Sequence, residues 1–466
     1  MKKKSVLLLG LMTMALSACG DPSTTDTRRV VKFEFLRGGF GTEVYEALAN
    51  AYMEQHPDVR ISLVPNRDIN STTASKLEAN SNLSDLYSVR SVLAIDQWVV
   101  KGLVYDLTDL YQSEIEDGKT LHNMLEAGAA DYSFYNGHYY SIPEYTSVSG
   151  WVYNASLFTK YGWKIPTTTK EMEDLCQQII TDTEGKVAPI VYCGAAADGY
   201  LYLATDSWMD SYAGVTNLDT FYRYESPEVF NPSGEVSKAK RYAMDNLKKF
   251  FGGDYVMKGS ASKTHIIAQR DILQGNAAMM INGSWFENEM KAYMKDSPDL
   301  DLRMFASPSV SDESNQVLHS SSYTTEDDKP VIDAGIGASY FIPKNAHNVA
   351  DALDFLKFIN TSAMSELYTS MTNAIRPMQY NRDSASSAYA RMSNFGKSIL
   401  DITKNNALYL PRTHNAIAMR GYISLYPQGG YWNYKILNDP QTYTDDYCLQ
   451  SDYEYVKSNW SAWQSL

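Results

Sequence analysis

The side chains in this sequence that could do chemistry are mostly carboxylates and aromatic rings. Fifty-five aspartates and glutamates face 41 lysines and arginines, and seven histidines are scattered among them. Carboxylates in that number could include a glycosidase pair, but such a pair is defined by its separation in space, and most carboxylates are solvated surface. The histidines form no H-E-x-x-H pattern and no G-x-S-x-G elbow occurs; Ser147-Val148-Ser149-Gly150 lacks the leading glycine. Gly38-Gly39-Phe40-Gly41 lacks both the Lys-Ser/Thr ending of a phosphate cradle and the dinucleotide spacing, so it reads as a ligand-approach loop or a plain turn. No His/carboxylate cluster stands out as a metal site. The expectation is a protein without catalytic residues, metal or cofactor, whose chemistry is non-covalent recognition. The 35 tyrosines and eight tryptophans suit that role. Their faces stack on flat apolar surfaces while their polar tips hydrogen-bond, which is what an amphipathic ligand such as a sugar asks for.

One stretch places an aromatic where a ligand would lie. In DILQGNAAMMINGSW, from Asp271 to Trp285, Ile272 and Leu273 close an amphipathic helix and Gly275-Asn276 supplies a left-handed stop. Ala277 to Ile281 then reads as a strand buried on both faces, which Asn282-Gly283-Ser284 breaks at its carboxyl end. Ligands of open α/β sheets bind in the crevice outside the carboxyl ends of the strands, so Trp285 is placed to face one; packing in the core is the alternative.

A chain of 466 residues exceeds the size at which one core stops growing, so at least two domains are expected. It opens with Lys2, Lys3 and Lys4, an apolar run from Val6 to Leu16 too short to span a bilayer, and Leu16-Ser17-Ala18-Cys19. That ending resembles the lipobox of bacterial lipoprotein signals. The resemblance implies removal of residues 1–18 and a diacylglycerol on the Cys19 sulfur, two acyl chains being enough for stable anchoring. No later stretch holds the roughly 18 apolar residues of a membrane span, and 19–29, rich in Ser, Thr and Asp, reads as a solvated tether. Loss of the three leader lysines takes the formal charge from -14 to -17, which argues against nucleic acid or anionic lipid as partner. Of the remaining Cys176, Cys193 and Cys448, the first two could form a disulfide between a helix and the strand after it; three buried thiols are the other expectation.

The elements that must position these residues can be read in order. Val30 to Leu36 is a strand, Thr42 a cap, Glu43 to His56 a helix stopped at Pro57, and Val59 to Val64 a second strand. Asp85 to Val89 is another short strand followed by a helix toward Val99, and Leu107 to Glu116 reads as a helical arm. Gly137 to Pro143 is a turn entering a strand, and Ile190 to Cys193 a strand leading to the loop Ala197-Asp198-Gly199-Tyr200.

The run from Tyr139 to Asn154 (YYSIPEYTSVSGWVYN), with Leu157-Phe158 and Tyr161-Gly162-Trp163-Lys164-Ile165-Pro166 before Thr167 to Glu171, resembles the crossover of carbohydrate-type (family 1) extracellular solute-binding proteins of ABC transporters. Val30 to Val64 resembles that family's first unit, Gly275 to Trp285 its signature ahead of a cleft tryptophan, and Ala334 to Phe358, with Ile342-Pro343-Lys344, its return crossing. The likeness implies an α/β, two-lobed periplasmic-binding-protein-like (type II) fold with a hinge and a ligand cleft between the lobes. Crossings would lie near Pro143 to Ser149, Ile336 to Tyr340 and Arg376 to Tyr380. The first lobe would comprise 30–146 and 340–376, and the second 147–339 and 377–466 with a helical tail. It further implies a sugar ligand stacked on Trp285 and met by Tyr200, Asp198 and the crossing-strand Ser147. Phe40 and Arg37 in the first loop, and Tyr431 and Trp432 at the last turn, rank lower. Partners would be the carbohydrate, the permease subunits of an importer and, through Cys19, the membrane, with the protein itself a monomer. A peptide or polyamine receptor on the same fold is the alternative, and an exported glycan hydrolase the rival class.

Overall fold

The computed structural model describes residues 26–465 apart from 91, 127, 196–199, 296–298, 385, 412–414, 421, 426 and 428–431. The first strand, Arg29–Leu36, pairs in parallel with Val59–Asn66 on one side and Leu86–Val89 on the other. Parallel neighbours need a crossover, which the helix Glu43–Gln55 and then Ile69–Ala79 provide. The sheet continues from Leu86–Val89 through Val331–Phe341, Ile142–Asn154 and Ala277–Gly283 to Ala188–Ile190. Leu302–Phe305 also pairs with Ile142–Asn154, and Ala407–Tyr409 with Val331–Phe341.

Two sets of cores hang on this sheet, as the chain length demands. One gathers Phe33, Leu48, Tyr52, Leu86 and Phe355; the other gathers Trp208, Leu247 and Met279 on one face of the sheet and Ile272, Met280 and Phe395 on the opposite face. The 13-residue strand Ile142–Asn154 belongs to both. Its start sends Ile142 and Tyr145 into the first core, and its end alternates Trp151 and Tyr153 into one face of the second with Val148 and Val152 into the other. Val331–Phe341 returns antiparallel beside it. The third expected crossing, Arg376 to Tyr380, is extended but builds no strand: Ile375 bridges Thr146, Met378 bridges Leu125, and Gln379 N–H donates to Met124 O at 2.6 Å.

Three local expectations change. Leu107 to Glu116 is helical only over Thr108–Gln112; Glu114–Glu116 then forms a hairpin with Lys119–Thr120. Asp117 and Gly118 both take positive φ (49° and 75°), the two-residue turn that a hairpin favours and a continuing helix forbids. The strand expected at Ile190 to Cys193 lies at Ala188–Ile190. No disulfide joins Cys176 to Cys193, and the reason is the sheet: Cys176 packs with Trp151 and Trp208, whereas Cys193 packs on the opposite face with Val148 and Val191. Both remain buried thiols.

Candidate functional site

The stretch that should deliver Trp285 folds as its residues dictate. The helix His265–Leu273 stops where Gly275 takes φ 72°, and Asn276 N–H donates to Asp271 O at 2.9 Å. Ala277–Gly283 is then buried at every position, and Trp285 precedes the helix Phe286–Met294. The indole lies down over Gly283, where a Cβ would stand only 2.2 Å from the ring, so a residue without a side chain is required there. Across the gap, Gly39 backs onto Trp285 so closely that a Cβ there would come within 3.1 Å of the tryptophan Cβ. The Arg90 guanidinium stands 5.9 Å from the indole centroid, and the Tyr200 ring meets it edge-on at 5.9 Å. Trp285 is consequently only 7% exposed, partly because elements from the first core cover it.

Around this contact lies a narrow space of about 30 Å³ walled by Phe40, Tyr45, Ser88, Arg90, Tyr145 and Trp285. It adjoins a groove of about 770 Å³ between Arg67 and Arg90 on one side and His265, Asn288 and Lys291 on the other. Phe40 packs edge-on against Tyr145 with centroids 5.0 Å apart. The crossing strands form a floor behind the space, which they reach at Tyr145 and Ala338. Ser147 is the one residue of Ile142–Asn154 that is not buried, and its register partner is Gly335. Along Val331–Phe341 the partly exposed positions are Asp333, Gly335 and Gly337, so one face of that strand is nearly bare. A side chain at Gly337 would meet the Tyr145 ring at 2.0 Å.

Acidic groups sit beside this floor. Asp210, on the helix Leu201–Ala213 that packs on Val331–Phe341, is 1% exposed and neither of its carboxylate oxygens has a hydrogen-bond partner among the described residues. Burial first, and then the charges of Asp333 and Asp206, push its pKa well above the usual carboxylate range. Burial raises Asp333 as well and takes Asp96, on Val92–Val100, up to about 7.

The remaining expected contacts fall elsewhere. Asp198 and Tyr431 lie outside the described residues, as does Cys19. Arg37 is exposed and its backbone N–H donates to Asn66 O at 3.1 Å. Trp432 is 3% exposed within the second core, its indole N–H donating to Asp452 Oδ2 at 3.0 Å and the Lys435 ammonium 4.5 Å from its ring. Tyr45, Ser88, Arg90 and Asp333 were not singled out by their sequence. Of these, Asp333 carried a signal, since Asp333-x-Gly335-x-Gly337 within an apolar run marks a strand with one bare face.

A mixed α/β chain with two sets of cores, strands crossing between them and a ligand-sized groove at the strand ends is a two-lobed solute-binding fold. The chain belongs to the bacterial extracellular solute-binding protein family, whose model matches residues 41–365. It is 21% identical over 305 residues to the multiple sugar-binding protein of Streptococcus mutans, spanning 65% of this chain and 68% of that one. Among solved structures it is similar to apo RafE of Streptococcus pneumoniae (15% identity, TM-score 0.67, 94% of this chain and 99% of that one). It is also similar to the GacH receptor of Streptomyces glaucescens, solved unliganded and with acarbose (16% identity, TM-score 0.65, 94% and 98%).

Proposed function

We propose that this protein is a membrane-anchored extracytoplasmic receptor that binds a sugar or oligosaccharide between its lobes and delivers it, unaltered, to the permease of an ABC importer. The observation that carries the reading is Trp285 sharing one space with Phe40, Tyr145 and Arg90, with the Tyr200 ring edge-on to the indole. Aromatic faces cover the apolar C–H faces of a sugar, while Ser147, Asp333 and Arg90 are at hand for its hydroxyls. In this reading Trp285, Tyr200, Ser147 and Phe40 touch ligand, and Asp198 and Tyr431, outside the described residues, are further contacts. The lobes divide as 30–146 with 340–376 and 147–339 with 377–466. The relative named for multiple sugars supports the ligand class.

The test is a thermal-shift screen of raffinose, stachyose, maltotetraose and acarbose against spermidine and a mixed peptide pool. A ligand at 100 times its dissociation constant should stabilise the protein by about 2.7 kcal/mol. A shift with a sugar, and recovery of that sugar uncleaved, is expected. A shift with spermidine alone would favour the second reading, a polyamine receptor, for which Asp96, Asp210 and Asp333 supply buried carboxyl groups without an ion-pair partner among the described residues. Cleaved sugar would indicate a hydrolase.

The anchor rests on Leu16-Ser17-Ala18-Cys19 after a basic and apolar leader. No helix among the described residues is long and apolar enough to cross a membrane. Cys19→Ala is expected to abolish lipid attachment and release the protein to the soluble fraction in a fractionation experiment. Retention on membranes washed with high salt would put the anchor elsewhere.

A further inference from the structure

Behind the pocket wall lies a carboxylate that none of the readings above uses. Glu144, on the first crossing strand, is fully buried. Its Oε1 accepts from Tyr45 Oη at 2.8 Å and Tyr368 Oη at 3.1 Å, and its Oε2 accepts from Ser88 Oγ in a short hydrogen bond. No ammonium or guanidinium stands within ion-pair distance of it among the described residues. The buried Arg376 guanidinium lies behind two of the surrounding rings, 5.3 Å from the centroid of Tyr368 and 5.7 Å from that of Tyr340. Burying a carboxylate is costly unless hydrogen bonds replace its water, and a neutral glutamine would fill the same volume at less cost. What a carboxylate does there that an amide does not is accept on both oxygens.

Tyr45 and Ser88, two of its donors, also line the narrow space beside Trp285. A hydroxyl has a single proton. Once that proton is given to Glu144, the oxygen presents only lone pairs to the pocket. We infer that Glu144 is a positioning residue that fixes the hydrogen-bond polarity of this subsite, holding Tyr45 and Ser88 as acceptors so that it takes a ligand group that donates, such as a sugar hydroxyl. The inference rests on the sugar-receptor reading for the ligand, but not for the orientation of the two hydroxyls. It extends to a defined variant. Tyr45 and Tyr368 share Oε1, and Ser88 is the hydrogen-bond donor to Oε2 among the described residues, with the buried Tyr340 hydroxyl near the same carboxylate, so the amide of Glu144→Gln disturbs these three bonds least by placing its NH2 toward Ser88. Ser88 then accepts from that NH2 and turns its own proton toward the cleft, against a donating ligand.

The experiment is a double-variant cycle read by titration calorimetry with the tightest-binding member of raffinose, stachyose and maltotetraose. Glu144→Gln is expected to weaken binding at least tenfold. Ser88→Ala is expected to weaken it too, and the Glu144→Gln/Ser88→Ala protein to bind within twofold of Ser88→Ala alone, because the misdirected proton is gone. A residue that merely supported the fold would give additive losses in affinity. Additive losses, or a Glu144→Gln protein within twofold of the parent, overturn the inference. Should Glu144→Gln fail to fold, Ser88→Ala and Tyr45→Phe proteins that both bind as the parent does overturn it equally. If none of the three sugars binds, the receptor reading fails by itself, and a ligand-free measurement decides the orientation. The tyrosine Raman doublet of Tyr45, isolated as the difference between the parent and Tyr45→Phe, should report a strong donor; an acceptor signature sinks the inference.

Discussion

Trp285→Ala should bind sugar at least about tenfold more weakly than the parent, within the roughly thirtyfold that corresponds to the ~2 kcal/mol or more typically lost on truncating a buried aromatic anchor. From the sequence alone its melting transition would be expected within a few degrees of the parent's, because the side chain would overhang an open cleft. The structure changes that half of the expectation. With 7% of its surface exposed and its ring seated on Gly283, Trp285 also packs with the second core, and its loss should cost up to ~3 kcal/mol of stability. The two effects separate cleanly if affinity is measured well below the variant's melting temperature and intrinsic fluorescence follows the titration. A folded Trp285→Ala protein with the parent's dissociation constant would leave the residue a purely structural part of the core.

The second large effect is on stability against pH. Asp210, Asp333 and Asp96 all have pKa values raised in the folded protein, chiefly by burial, and the unfolded chain returns them to the ordinary carboxylate range near 3.8. Between roughly pH 4 and pH 7 the folded state therefore binds more protons than the unfolded state, and the slope of unfolding free energy against pH is negative. Their penalty is absent in acid, where both states are protonated, and grows as pH rises toward and past 7. Carboxylates lowered by exposed partners, such as Asp58 and Asp351 beside Arg29, lose their contribution only below that window. His319, lowered by burial, and Lys240, taken down to about 8 by burial, act in the opposite sense, the lysine only at the upper edge of this range. The parent should thus be less stable to urea at pH 8 than at pH 5. Asp210→Asn, which removes the most deeply buried of the three carboxyls without changing its size, should be more stable than the parent at pH 8 and show a flatter profile. A parent profile that rises from pH 5 to pH 8, or an Asp210→Asn protein destabilised equally at both, would mean that Asp210 is paired in solution.

What could be read from the sequence was whatever is encoded within a few neighbouring residues. The helix stop at Gly275, the strand to Gly283 and the delivery of Trp285 depend on a left-handed glycine and an uncharged run, both visible locally. The long crossing strand was legible instead through the likeness of YYSIPEYTSVSGWVYN to the family's crossover. The hairpin after Thr108–Gln112 was missed although Asp117-Gly118 announces it, because the apolar spacing upstream favoured a helix. Trp432 shows the limit of an aromatic at a turn: nothing local indicates that Asp452, twenty positions on, takes its indole proton. The Glu144 cluster lay further still out of reach. Its donors Ser88 and Tyr45 are 56 and 99 positions away, and only the pairing of Leu86–Val89 and Ile142–Asn154 with the strand between them brings those side chains together. The expected Cys176–Cys193 bond does not form for a related reason, since the chain beyond Ala188–Ile190 carries Cys193 into the core on the other face of the sheet from Cys176.

Gly39 pressed against Trp285 describes lobes drawn together, and a sugar can reach the space between them only if they part. A ligand that touches both sides favours the closed arrangement by its difference in affinity for the two states, which lets a permease distinguish loaded from empty protein. Small-angle scattering of the parent, with and without a saturating amount of whichever sugar gives a thermal shift, tests this directly. The account predicts a smaller radius of gyration in the sugar-bound protein and no such change in Trp285→Ala at the same sugar concentration. A sugar that binds saturably while the scattering of the parent stays the same would contradict closure of the lobes around it.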